Sequence, residues 1–206
     1  MSDLQQATDD LKMLALLVAD LGKLANLPPA YDQQFRGRMQ VRTLFSILDS
    51  LAFFLKSRAL ERCKNPSEAF SKNELEVLRE GVFRTKPDGT EFLQPSFPDP
   101  ERNIRTSFRC YSKLSGGPSP LESQTPLPAH FAYIIALRNR LTHPKKLADL
   151  AITEEEFSWL TDAAKWLRDS ADWVFEREKE FIYARNLALK EVVDKALAAL
   201  RAPVRG

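Results

Sequence analysis

The side chains that could do chemistry stand close together in Arg138-Asn139-Arg140-Leu141-Thr142-His143. An imidazole titrates near neutral pH, whereas a guanidinium stays charged and can hold two phosphate oxygens in its planar fork. These are the two groups needed to cleave RNA through its own 2'-hydroxyl. A general base removes the hydroxyl proton, and a cation stabilises charge on the phosphate oxygens. We take Arg138 and His143 as candidate catalytic residues. No metal is required, and the chain's two histidines, His130 and His143, have no carboxylate cluster beside them in sequence.

Spacing constrains how the pair can act. Five residues apart on an ideal helix, Arg138 and His143 point in directions about 140° apart, so they do not share a face. Asn139 and His143 are an i, i+4 pair, and the carboxamide is expected to orient the imidazole. Pro144 disfavours helical backbone at His143 and so should end the helix there, letting the ring swing out of its ideal direction. Arg138 could then meet the same phosphate within one subunit or across a dimer axis. The competing reading is that His143 only caps a helix C-terminus.

Charge around the motif is basic although the whole chain carries only +2. Between Glu101 and Lys146 eight bases face two acids, and Arg140, Lys145 and Lys146 are the candidate RNA-binding residues. Arg36, Arg38 and Arg42 stay outside the site, because a solvated helix face accounts for them equally well. His130 reads as structural. Trp159, Trp166 and Trp173 recur every seven residues, which favours a packing or dimer stripe over a base-stacking platform.

Elements that must position these residues are legible from periodicity and punctuation. Apolar residues recur at helical spacing from Leu4 to Leu27, ahead of Pro28-Pro29, and again from about Tyr31 to Cys63. Ser71 and Glu74 have capping-box spacing before a short third helix ending near Gly81. Residues 81–98 change character, with a turn at Lys86-Pro87-Asp88-Gly89, and predict a small hairpin or loop insert. Asp99-Pro100-Glu101 starts a helix to about Leu114, and Gly116-Gly117-Pro118-Ser119-Pro120 ends it. Pro126 or Pro128 should begin the motif-bearing helix. Thr153 and Glu156 form a second capping box, and no glycine or proline follows until beyond Leu200, so one very long helix or two abutting ones are expected. The fold class is all-α: an antiparallel helical bundle, a single domain over 1–206 with 153–206 as a long helical C-terminal extension.

Composition is ordinary for a globular protein, at 44% hydrophobic and 28% charged residues. Apolar runs such as Phe131 to Leu137 fall far short of the roughly 20 residues that cross a bilayer, so no membrane association is expected. Two cysteines without metal spacing and an acidic N-terminus point to the cytoplasm.

Arg138-Asn139-x3-His143 resembles the Arg-x4-6-His signature of the HEPN superfamily, in which a polar residue, often Asn, follows the Arg. The resemblance implies a small α-helical bundle and a metal-independent endoribonuclease needing no cofactor. It further implies a homodimer that brings two motifs together, with RNA as substrate, in a toxin or defence setting where an antitoxin or regulatory protein is a possible partner. Catalytic roles for Arg138 and His143 and a supporting role for Asn139 follow from it. HEPN toxins paired with a nucleotidyltransferase antitoxin tend to carry Tyr two positions after the His. Lys145 stands there, so silencing by modification of that Tyr is not expected. The alternative function is a non-catalytic helical module that binds RNA, a nucleotide or a protein.

Overall fold

A computed structural model describes residues 3–25, 28, 32–116, 118–123 and 126–201. Its helices are α1 (Asp3–Ala25), α2 (Gln33–Arg62), α3 (Pro66–Ala69), α4 (Lys72–Leu78), α5 (Pro100–Ser115), α6 (Pro120–Ser123), α7 (Phe131–Thr142) and α8 (Glu154–Arg201). One hairpin, β1 (Gly81–Thr85) and β2 (Glu91–Pro95), stands between α4 and α5. The expected all-α fold with a long C-terminal helix and a small hairpin insert is what the chain adopts. Compact units comprise Met1–Ala171 and Asp172–Gly206, and α8 enters both.

Within the first unit α2 is the central post. Asp32 caps it, its carboxylate accepting from the N–H groups of Gln34 (3.1 Å) and Phe35 (3.2 Å). Val41, Leu44, Phe45, Ile47, Leu48, Leu51, Phe54 and Leu55 are all buried, and at 100° per residue they fall within an arc of about 180°, one broad face turned to the core. α1 and α5 supply the main neighbours. Arg58, buried on α2, donates to Asp10 of α1 at 2.9 Å. Ile104, Phe108 and Tyr111 of α5 are buried. Gly37 lets α2 approach the start of α8, since a β-carbon there would lie 2.5 Å from the Phe157 ring and 2.8 Å from Ile152. Of the expected end of the first helix, Asn26, Leu27 and Pro29 lie outside the described residues.

Local signals explain the remaining boundaries. The Ser71 hydroxyl accepts from the Glu74 N–H (3.3 Å) while the Glu74 carboxylate accepts from the Ser71 N–H (2.9 Å), which starts α4. Glu74 is buried, and burial alone would raise its carboxyl. The Lys113 ammonium and the Ser71 backbone and hydroxyl donors outweigh that and hold it below the usual range. In the hairpin Gly81 pairs with Pro95 and Thr85 with Glu91. Gly89 takes φ +83° in its turn, which only glycine adopts without cost. Asp99 accepts from the Arg102 N–H at 2.9 Å to open α5.

Beside the α4–α5 contact a small core gathers Ala59, Phe70, Leu75, Leu78 and Cys110, with Cys63 half-buried against it. Burial, and secondarily the Glu74 charge, pushes the Cys110 thiol up to about 12.

The structure departs from the sequence expectation at several points, among them the short helix α3 ahead of α4. A short helix, α6, occupies part of the Pro-rich segment, of which Gly117 lies outside the described residues. The motif-bearing helix begins at Phe131 and not at Pro126 or Pro128, because the chain first makes a turn in which the Phe131 N–H donates to the Pro128 carbonyl at 3.0 Å. Thr153 and Glu156 form the expected capping box (3.2 and 2.8 Å), and a single helix follows. In the second unit Arg177 lies over the Trp173 ring (5.7 Å) and pairs with Glu180 at 2.8 Å. Of this helix, the side chains of residues 188, 189 and 191–201 lie outside those described.

Candidate functional site

α7 presents the motif on its last turn and a half. Leu137 is buried and Ile134 wholly so, which seats the helix on the core and fixes the azimuth of its polar end. His143 is the C-cap: its N–H donates to the Asn139 carbonyl (3.0 Å), and its backbone at φ −126°, ψ 59° has left the helix, as the following proline demands. The ring itself is exposed, so the capping contact is made by the backbone and not by the imidazole.

Arg138 is half-buried and lies over the buried Phe45 ring of α2, its guanidinium carbon 5.5 Å from the ring centroid. Its Nη1 donates to the Asn139 carboxamide oxygen at 3.1 Å. The expected Asn139–imidazole contact is therefore replaced. Asn139 faces its Arg neighbour, and among the described residues it makes no side-chain bond to His143. Once His143 leaves helical geometry, the i, i+4 relation no longer aims the two side chains at each other.

The predicted RNA-binding residues separate into two kinds. Arg140 donates to the carbonyls of Ala151 (2.7 Å) and Asp149 (3.1 Å) and to the Glu156 carboxylate (2.6 Å), so its guanidinium ties the segment after the motif to the start of α8. Lys145 and Lys146 are exposed. Their backbone N–H groups donate to Asp149 at 2.8 and 3.1 Å, and these two bonds, that from Lys145 foremost, lower the Asp149 carboxyl. Both ammonium groups project from a loop held in place by that carboxylate and by the 3-10 turn Leu147–Leu150.

Sequence reasoning missed the company Arg138 keeps. It shares a cavity of about 480 Å³ with Arg38 and Arg42 of α2, along with Ser46, Asp49 and Thr142. Arg38 and Arg42 are one turn apart on the face of α2 that meets α7. Arg38 donates to the Leu150 carbonyl at 3.3 Å. No carboxylate pairs with Arg38, Arg42 or Arg138 among the described residues. Asp49 is the cavity's one acid; the surrounding chain strips water from it and raises its carboxyl, against the pull of Arg138 and Lys56. Behind it the buried Lys56 donates to Glu80 (2.6 Å) and Asn103 (3.2 Å). His143 does not line this cavity.

A second cavity, about 780 Å³, lies between α4 and α5 and also has three arginines on its wall, Arg102, Arg105 and Arg109. Here Arg105 pairs with Glu101 (2.8 Å) and Arg109 with Glu74 (3.2 Å). His130 stands at the opposite end of α7 from His143, roughly 20 Å away along the axis. It stacks on Trp159 with centroids 5.2 Å apart and planes at 16°. Trp166 is buried against Phe131, and Trp159 also stacks on Tyr133. Two of the three heptad-spaced tryptophans thus pack on α7.

Against protein-family models, curated proteins and solved structures, the chain finds no match. Among the described residues no group of three His, Cys, Asp or Glu is placed to hold a metal ion, and no helix is long and apolar enough to cross a membrane.

Proposed function

We propose that this protein is a metal-independent endoribonuclease of HEPN type, with Arg138 and His143 as its catalytic pair. The observation that carries the reading is the state of the two groups at the end of α7: a guanidinium without a carboxylate partner at a cavity, and an exposed imidazole just past the last turn. The imidazole takes the 2'-hydroxyl proton, O2' attacks phosphorus as the P–O5' bond breaks, and the 5'-oxygen takes a proton from water while the imidazolium returns its own to solvent. The products are a 2',3'-cyclic phosphate and a 5'-hydroxyl. Arg138 stabilises charge on the non-bridging oxygens. Asn139 holds Arg138 from the side, and Lys145 and Lys146 meet flanking phosphates.

Because His143 lies outside the cavity that Arg138 lines, the pair acts across the axis of a homodimer, Arg138 of one subunit beside His143 of the other. A cytoplasmic toxin or defence role, restrained by an antitoxin or other regulatory protein, is the setting that the HEPN resemblance suggests.

The test is cleavage of varied RNAs in chelator by the wild type, Arg138→Ala and His143→Ala. Loss in both variants with folding intact is expected, and a mixture of the two inactive variants should regain activity, since a mixed dimer holds one complete pair. Undiminished cleavage by either single variant rejects the assignment.

A second reading is favoured by the same separation of His143 from the cavity: an RNA-binding module without cleavage. No cutting of any RNA by the wild type, with binding retained, selects it.

A further inference from the structure

The geometry points to the α2–α7 cavity as a phosphodiester-binding subsite for single-stranded RNA, in which Arg38 and Arg42 hold backbone phosphate next to the one engaged by Arg138. It rests on the RNA reading of Arg138 for the identity of its ligand, but not on cleavage.

Three guanidiniums lining one cavity, two from α2 and one from α7, repel one another, and the cost is ordinarily relieved by carboxylates. Elsewhere in this protein that is what happens: Arg58, Arg105, Arg109 and Arg140 each have an acid within 3.2 Å. The α2–α7 cavity supplies only Asp49, which forms no ion pair with any of the three arginines. An anion from outside would complete it.

Chemistry narrows the class of anion. Guanidinium forks match the paired non-bridging oxygens of a phosphodiester. The cavity's hydroxyls are not spare donors, because Ser46 donates to the Arg42 carbonyl (3.0 Å) and Thr142 to the Arg138 carbonyl (2.7 Å). Recognition therefore falls to the arginines. About 480 Å³ is the size of a small-ligand pocket and exceeds what one inorganic ion fills. Its single aromatic side chain, Phe45, is buried and covered by Arg138, so no ring is left on which a base could stack. Such a site reads backbone and not sequence.

A labelled 2'-O-methyl oligonucleotide, which lacks the attacking hydroxyl and cannot be cut by this route, tests binding apart from catalysis. Its affinity is read by anisotropy across a salt series. Arg38→Ala and Arg42→Ala should each weaken binding about five- to tenfold and flatten the salt dependence by about 0.7 in log–log slope. Asp49→Asn should strengthen binding about two- to fivefold, a gain that a purely structural role would not produce. Arg105→Ala, in the other cavity, should bind as wild type.

Competition by inorganic phosphate and by adenosine monophosphate distinguishes the source of the phosphate. Displacement only at millimolar concentrations, with affinity rising with oligonucleotide length, fits the proposal. Displacement by either small anion as tightly as by the oligonucleotide overturns it in favour of a free phosphate site. Wild-type binding by folded Arg38→Ala and Arg42→Ala overturns it outright. Failure of the wild type to cleave RNA leaves it standing, so the two readings fail separately.

Discussion

The α4–α5 cavity and the α2–α7 cavity each have three arginines on their walls, and they handle that charge in opposite ways. In the first, Glu74 and Glu101 take up Arg109 and Arg105, and the Glu74 carboxyl is driven below its usual range by Lys113 and the Ser71 donors after overcoming burial. In the second, the arginines have no carboxylate partner and the lone acid, Asp49, is driven up by desolvation. Paired charge of the first kind fastens helix to helix. Unpaired charge of the second kind is a standing electrostatic cost to the fold. On the proposed reading, the same residue type serves cohesion in one place and recognition in the other.

The sharpest way to break this contrast is activity. Arg138→Ala should lower RNA cleavage about 100- to 1,000-fold, the loss seen when one transition-state donor is removed. Arg109→Ala should leave it within about twofold. Equal losses in a cleavage assay would mean that pairing does not distinguish the two cavities.

Stability should answer with the opposite ranking. Glu74→Ala removes a helix cap and two ion-pair partners and should cost about 1–2 kcal/mol in urea unfolding. Arg42→Ala should change stability by less than about 0.5 kcal/mol. A large loss on removing Arg42 would show that it has a structural partner after all.

Acid titration refines the comparison further. A carboxyl lowered by folding contributes stability that is fully present above its ordinary value of 4.5 and is lost as pH falls through its folded value. The advantage of the wild type over Glu74→Gln should therefore shrink as unfolding is measured at successively lower pH below about 4.5. Asp49 has the reverse sign: its contribution is present below 3.8 and lost as pH rises through the raised value. Asp49→Asn should be slightly more stable than wild type at pH 7 and equal to it in acid, which is the smallest of these effects.

Sequence patterns carried the fold further than the site. Both capping boxes, the Asp99-Pro100 start and the turn at residues 86–89 are local, since their partners lie within four residues, and each is visible before folding. The start of α7 was harder, because prolines at 126 and 128 suit a first helical turn, but here Pro128 opens a separate turn that precedes the helix. The α2–α7 cavity joins residues about a hundred positions apart, and nothing in Arg38 or Arg42 alone announces Arg138. One hint was present: neither has an acid three or four residues away in either direction, whereas Arg105 has Glu101 one turn back. The Asn139–His143 expectation assumed helical geometry that Pro144 abolishes.

Cys110 gives the molecule a built-in clock. A thiol held near 12 in a sealed core has almost no thiolate at neutral pH, whereas half-buried Cys63 keeps some access to solvent. Alkylation of the intact protein should therefore mark Cys63 first. Cys110 should react only when α5 lifts from α2, so the lag between the two labels times how often the core opens.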